Sequence, residues 1–428
     1  MTGVVTGLEC SVCGAVVPIG QPFSWRCPHS TSTQRQHVLK FSSSLVPFRP
    51  ADDNNPFLAY RKWLAVDSFG EAIGLADAER VHIIEELNAQ IASIGGVGFH
   101  RTPLLRANDL SDHLGFTSDG GIWIKDETGH VAGSHKSRHL MTEMIHLLMA
   151  EHAGLVSWGR PSDRPALAIA SCGNAAIAAS TIAAAVGWPI SVHVPEAASP
   201  EVVATLTSLH ADVRVCPRQD SDPPGDPCVF RFRELVAEGA IPFGVQGTEN
   251  AWCLDGGRTI GWEILEQMEN RLDRVFIQVG GGAFASCVAS SFKNVGVHPK
   301  LHTVQTEGCA PLARAWQRAM ETGGTHNVAQ RWSELMWPWE TEPHSLADGI
   351  LDDETYDWIG AIEGMADTGG SPIVASEMSV VAAFNMAHRL TSINVSPTGS
   401  AGLAGVLEHR EHIDDNEKIV VVFSGVRR

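Results

Sequence analysis

Positive charge is scarce in this chain. Its 428 residues carry 31 Lys and Arg against 49 Asp and Glu, a formal charge of −18, and no segment gathers the basic residues into a block. That balance repels nucleic-acid phosphate and anionic lipid, so neither a nucleic acid nor a membrane is expected as partner. An apolar run of membrane length is missing as well. The longest low-charge stretch, "SCGNAAIAASTIAAAVGW", is short, rich in Ala, Gly and Ser, and interrupted by Asn174. The start, "MTGVVTGLECSVCG", lacks the basic segment followed by an apolar one that marks a secretory leader. Nine cysteines, an odd number scattered over a long chain, make no disulfide framework and suit reduced thiols. Together these absences predict a soluble, cytoplasmic protein. No internal repeat is visible.

What is present is ordinary globular material: 44% hydrophobic and 19% charged residues over a length that allows two or three domains. Residues 1–50 hold Cys10, Cys13, Cys27 and His29 among Pro, Ser and Thr, which predicts a small appended module. Residues 51–124 form a lead-in; "ERVHIIEELNAQIASIGG" spaces Val81, Ile84, Leu87 and Ile91 as one helical face and closes on a Gly pair, and two helices are expected there. Beyond residue 100, short β-branched or apolar runs alternate with helical stretches. The runs are "GIWIKDE", "ALAIAS", "PISVHVP", "DVRVCP", "RVFIQVGGG", "LHTVQTE" and "KIVVVFSG". Segments such as "VFIQV" and "IVVVF" are apolar on both faces, as strands of a parallel sheet covered by helices must be. The expected class is α/β, with doubly wound lobes at 125–245 and 246–428. Residues 320–345 break the rhythm and read as an insertion or loop.

Three stretches carry chemistry. In "QVGGGAFAS" a buried-type strand ends in Gly280, Gly281 and Gly282 and runs through Ala283 into a helical segment, so several N–H groups converge at a helix start and suit a phosphate. The spacing matches neither a dinucleotide fingerprint nor a P-loop. In "ASCGNAAIAAS" the turn Ser171–Cys172–Gly173 offers N–H groups and a hydroxyl to a carboxylate, and the Asn174 amide can reach a ring oxygen; a helix cap explains the same residues. In "VAGSHKSRHL" Lys136 follows a strand by a short turn, at the sheet edge where ligands of open α/β folds sit. A single lysine is ordinarily a solvated charge.

The set and its order, "GSHKSR", "SCGNAA", "VGGGAFAS", "SPTGSAGLAGV" and "VVVFSG", resembles the fold type II family of pyridoxal phosphate enzymes. That family includes threonine synthase, threonine and serine dehydratases, cysteine synthase and the tryptophan synthase β chain. The resemblance spans residues 100–428 and implies two open, mostly parallel lobes with the cofactor in the cleft between them. It implies that Lys136 is the lysine joined to the cofactor aldehyde, that Gly280, Gly281, Gly282 and Ala283 hold its phosphate, and that Asn174 contacts its 3′ oxygen. Ser171, Cys172 and Gly173 match the loop for the substrate carboxylate, and Ser424 matches the hydroxyl facing the pyridine nitrogen. A serine there cannot hold that nitrogen protonated as an aspartate would, so the ring is a weaker electron sink and β- or γ-elimination is favoured over transamination.

The chain departs from the family in places. Threonine synthases usually read Gly-Ser-Phe-Lys-Asp-Arg at the lysine; here His135 precedes it, similar to the tryptophan synthase β chain, where such a histidine lies near the phosphate, and Ser137 follows it. Cys172 stands where Ser or Thr is common. "HSLADGI" resembles a dehydratase and serine racemase segment through Asp348 and Gly349. The function implied is a lyase acting on a small hydroxy amino acid or its activated ester, as a homodimer. The alternatives are a β-replacement synthase and a non-catalytic cofactor-binding regulator.

Cys10-x2-Cys13 followed by Cys27-x-His29 has the ligand types of a Cys3His zinc site, with Gly14 as turn residue. Zinc ribbons precede the catalytic domain in some threonine synthases, which this order resembles. Cys172, Cys216, Cys228, Cys253, Cys287 and Cys309 have no ligand spacing and read as buried thiols. His409 and His412 in "EHREH" read as a solvated face.

Overall fold

The computed structural model describes residues 4–31, 33–44, 47–223 and 225–428; residues 1–3, 32, 45 and 46 of the N-terminal module, and residue 224, lie outside the described residues. The first three strands, β1 (Val5–Cys10), β2 (Val16–Pro18) and β3 (Leu39–Ser43), pair antiparallel in the order β2-β1-β3. The lead-in follows as helices Ala65–Ala72 and Asp77–Gly95 after a shorter turn of helix at Pro56–Ala59. The second ends where the Gly pair predicted, Gly96 taking a left-handed φ of 76°. Leu8, Phe69, Ile84 and Leu140 share one buried cluster, so ribbon, lead-in and first lobe are held by common apolar burial.

Next come β4 (Leu104–Arg106) and β5 (Gly121–Asp126), an antiparallel pair. The chain then leaves to build β6 (Leu167–Ala170), β7 (Ile190–Val194), β8 (Asp212–Val215) and β9 (Ile241–Pro242), a parallel sheet in the order β8-β7-β6-β9. It returns with β10 (Arg274–Gln278), β11 (Lys300–Thr306), β12 (Pro372–Ala375) and β13 (Lys418–Phe423). These complete a sheet ordered β12-β11-β10-β13-β5-β4, parallel except for β4. β13 sits between β10 and β5, and Ile419 to Phe423 are buried throughout, as a strand covered on both faces requires. Each such side chain contributes about 1.5–3 kcal/mol by burial, so a charge placed at Val421 would have neither water nor partner.

All seven runs read as strands contain one. Beyond residue 100 the strands not anticipated are short: β4 has three residues, β9 has two, and β12 opens on Pro372 at the sheet edge, where the missing N–H costs no ladder bond. The 320–345 segment takes in the last turn of helix Pro311–Glu321 and otherwise carries a 3-10 turn, Val328–Arg331, and a short helix, Trp332–Leu335. His409 is less solvated than expected, its ring lying 4.9 Å from that of His302. Among the described residues no helix is long and apolar enough to cross a membrane.

Candidate active site

Four loops leave the carboxyl ends of parallel strands and meet, the place where open α/β sheets bind ligands. β5 leads to Lys136, β6 to Ser171–Asn174, β10 to Gly280–Gly282 and β13 to Ser424. The contacts tie them together. The Ser424 carbonyl accepts both the backbone N–H and the Nδ1–H of His135 at 3.0 Å. The His135 ring packs on Phe284, in the first turn of the helix after the glycine loop, with centroids 4.4 Å apart. A bridge joins Ser134 to Gly425, and Val426 N–H donates to Gly133 O at 2.8 Å.

Lys136 is the first residue of helix Lys136–His152 and is half-buried. Among the described residues it makes no ion pair, yet its charge is felt by Cys172, by Asp352, and by His135 and His139. Burial, reinforced by the charges of His139 and Lys136, lowers the His135 imidazole to about 3, so it is neutral at physiological pH. Because Nδ1 faces a carbonyl and must carry the proton, Nε2 is an acceptor.

The glycine loop is shaped by close approach. A Cβ on Gly280 would lie 2.3 Å from Asp352 Oδ2 and 2.9 Å from Ile350 Cα; Gly282 has a φ of 90°. Ser286 is the first helical residue whose N–H meets a backbone acceptor, Gly282 O at 3.1 Å. The N–H groups ahead of it are the orphan donors of a helix start, which suits a phosphate.

Asn174 opens helix Asn174–Ala185, and Gly173 N–H reaches Ser171 Oγ at 3.4 Å. Ser424 is buried, and its Oγ lies 2.6 Å from Gln278 Nε2. That amide nitrogen also faces Gly399 O at 2.9 Å, a pure acceptor, so it is the NH2 end, and Ser424 Oγ accepts from it. The hydroxyl hydrogen is thereby left to donate to an unprotonated ring nitrogen. Among the described residues the buried Ser134 Oγ has no partner, and it lies in the wall where Asn174 and Gly425 meet. An unpaired amine, a donor-rich loop, a hydroxyl poised to donate and an orphan hydroxyl fit pyridoxal phosphate.

Three residues at the site were not found from the sequence. Gln278 left a faint signal, the polar residue of "VFIQV". Asp352 lies beyond "ADGI"; burial pushes its carboxyl up to about 6 against the pull of Lys136, and Gly281 N–H points toward it. Arg428 donates its Nε–H to Asn174 Oδ1 at 2.8 Å. Cys172 corrects an expectation: it is exposed in the cleft and is not a buried core thiol.

The metal ligand set needs a correction too. Ligand atoms of Cys10, Cys13, Cys27 and His37 lie within 4.8 Å of one another, so His37, not His29, completes the cluster. Pairing of Cys10 with Leu39 between β1 and β3 carries His37 to the knuckle, its Nδ1 3.5 Å from Cys10 Sγ. The His29 ring reaches Cys13 Sγ at 3.5 Å, and its backbone N–H donates to Cys27 Sγ at 3.4 Å. Burial raises the Cys13 thiol, but hydrogen bonds from Ala15 N–H and from His29, Cys10 and His37 prevail and bring it to about 6.

Comparison with known proteins agrees with this geometry. A family model described as "Pyridoxal-phosphate dependent enzyme" matches residues 97–425. Similar curated proteins include the threonine synthase of Bacillus sp. (strain ULM1), 23% identical over 332 residues, 76% of this chain and 82% of the relative. The L-threonine ammonia-lyase of Thermotoga maritima is 25% identical over 330 residues, 76% of this chain and 71% of the relative. Among solved structures, threonine deaminase isoform 2 from Solanum lycopersicum has a TM-score of 0.61 at 20% identity, covering 90% of this chain and 96% of that one. Diaminopropionate ammonia lyase from Escherichia coli has a TM-score of 0.62 at 16% identity, covering 81% and 88%. These structural likenesses show a shared fold. With the family model spanning most of the chain and the lysine, glycine-loop and serine motifs gathered at one cleft, the chain belongs to the fold type II pyridoxal-phosphate dependent enzymes.

Proposed function

We propose that the protein is a lyase that eliminates the side-chain substituent of a small hydroxy amino acid such as serine or threonine. One observation carries the reading: Lys136, an amine without an ion-pair partner among the described residues, stands where the Asn174, Gly280–Gly282 and Ser424 loops converge. Bound there, pyridoxal phosphate supplies an aldehyde to hold the substrate amine and a ring to accept electrons. Gly280, Gly281, Gly282 and Ala283 hold its phosphate end, the neutral His135 ring beside them having no donor left for the phosphate, Asn174 holds its 3′ oxygen, and Ser424 its ring nitrogen. Ser171, Cys172 and Gly173 receive the substrate carboxylate. The Lys136 amine, released when substrate binds, takes the α proton. Asp352, at the glycine loop and within the field of Lys136, is a second group able to carry a proton near neutral pH.

Local charge supports a hydroxy amino acid over its phosphate ester. Asp226 and Asp348 act on Cys172, in the loop assigned to the substrate carboxylate, and oppose a second dianion there. The test is incubation with serine, threonine, O-phosphohomoserine and 2,3-diaminopropionate, scoring keto acid, ammonia and phosphate. Keto acid and ammonia are expected from serine or threonine, and Lys136→Ala should lower the rate about 10³-fold or more and abolish a borohydride-fixable adduct. Product only when a thiol or indole is added would replace this reading with a β-replacement synthase.

The same proposal includes a zinc ion on Cys10, Cys13, Cys27 and His37, the division into a module (1–50), a lead-in (51–124) and two lobes (125–245 and 246–428), and a cytoplasmic homodimer. Metal content should fall in His37→Ala and stay in His29→Ala; the reverse would restore His29 as ligand. Light scattering measures the oligomer.

A further inference from the structure

Arg428 lies outside every motif of the family, yet it touches two of the site's loops at once. Its Nε–H donates to Asn174 Oδ1 at 2.8 Å, and its terminal nitrogen donates to the carbonyl of Ala132. Ala132 is a non-glycine residue held at a φ of 53° in the turn that leads to Lys136. Such a conformation persists only where surrounding contacts hold it. The segment bearing Arg428 is itself anchored to this turn, through Val426 N–H to Gly133 O and the Ser134–Gly425 bridge.

The bond to Asn174 decides which way its amide points. A guanidinium has donors and no acceptor, so only the oxygen end of the amide can face it. The Nδ2 hydrogens must then point away from Arg428, and Nδ2 lies 2.8 Å from the position of a Cβ on Gly425, beside Ser424. An ionised phenolic oxygen accepts hydrogen bonds and cannot donate one, so it needs the Nδ2 end. With the amide reversed, Asn174 would present a second oxygen to it.

We propose that Arg428 is a positioning residue for the cofactor: it locks the Asn174 amide with its donor toward the cofactor's 3′ oxygen and ties the Asn174 loop to the turn that carries Lys136. This rests on the reading of the cleft as the pyridoxal phosphate site. Gln278 on β10 and Arg428 in the segment after β13 would then set hydrogen-bond polarity at two positions of the ring, Arg428 through Asn174 and Gln278 through Ser424.

The test uses wild type, Arg428→Ala, Asn174→Ala and the double variant, each titrated with pyridoxal phosphate and followed by visible absorption against pH. Arg428→Ala should weaken cofactor binding about five- to tenfold and shift the pH of the absorption change by about half to one unit. In the Asn174→Ala background the same substitution should do nothing further. Asn174→Asp keeps an acceptor for Arg428 and removes the donor, and should shift the pH profile while the melting temperature of the cofactor-free protein holds. Wild-type affinity and profile in Arg428→Ala, full additivity in the double variant, or an unshifted Asn174→Asp would each overturn the role of Arg428. A wild-type protein that takes up no cofactor would instead overturn the reading of the site itself.

Discussion

Lys125 and Lys136 lie eleven residues apart and meet opposite fates. Lys125, on β5, is fully buried; its Nζ donates to Glu263 Oε2 at 2.5 Å, Thr102 O at 2.8 Å and Gln267 Oε1 at 2.8 Å. Arg138, two residues past Lys136, joins the same network, bonding Glu127 at 2.9 Å and Glu263 at 2.5 Å, with every side chain of the ion pairs wholly excluded from water. Two cations and two carboxylates balance, and their hydrogen bonds saturate the three donors of Lys125. Opposite charges hold the Glu127 carboxyl below the usual carboxylate range in spite of its burial. Lys136 turns the other way, into the cleft toward Cys172 and Asp352, where among the described residues no carboxylate forms an ion pair with it. A charge with every donor satisfied is architecture, and an amine left unpaired beside a donor-rich loop is available for chemistry.

That contrast can be broken experimentally. The largest effect is expected from Arg138→Met, which leaves Glu127 and part of Glu263 uncompensated in the interior: a loss of about 3–5 kcal/mol in urea unfolding. Lys136→Ala should change the same measurement by less than about 0.5 kcal/mol while removing activity. If the two variants are equally destabilised, the division between architecture and chemistry fails.

A smaller effect separates the carboxylates. Asp352 faces the phosphate loop, and its ionised form opposes a bound phosphate. Asp352→Asn should tighten pyridoxal phosphate binding several-fold at pH 8, about 1 kcal/mol of relieved repulsion. The gain should shrink below pH 6, where the wild-type carboxyl is itself protonated; fluorescence titration at both pH values measures it. An unchanged affinity at pH 8 would place the phosphate away from Asp352.

A separate effect, read from pH dependence, concerns Asp357, which accepts Gly247 N–H at 2.9 Å through Oδ2 while its buried Oδ1 has no partner among the described residues. Burial raises this carboxyl from 3.8 to about 7. The folded state therefore binds a proton that the unfolded chain has released, so this contribution is fully present below pH 3.8 and is lost as pH rises through 7. Relative to wild type, Asp357→Asn should gain melting temperature between pH 4 and 7 and level off above. A difference independent of pH would show that Asp357 does not take up a proton on folding.

Much of this was legible because it is local. Apolar runs marked the buried strands, and "VGGGAFAS", "SCGNAA" and Lys136 sit at strand-to-helix junctions that short-range residue patterns reveal. Asp352, Gln278 and Arg428 were not legible, since each matters for what lies across the cleft, up to 254 positions away in the case of Arg428 and Asn174. The choice of His37 over His29 was hidden for the same reason: spacing along the chain favours the nearer histidine, and strand pairing brings the farther one to Cys10.

By itself the sequence determined the alternation of strands and helices, the excess of negative charge, and the presence of an amine, a glycine loop and a hydroxyl in a telling order. These follow from hydrophobic period and residue type, which act over a few positions. Only the tertiary structure decided that Lys125 is sealed in a balanced ionic network and Lys136 left open, and which way the Asn174 amide and the Ser424 hydroxyl point. Pairing, burial and hydrogen-bond polarity depend on partners from distant strands, and those partners exist only once the sheets have formed.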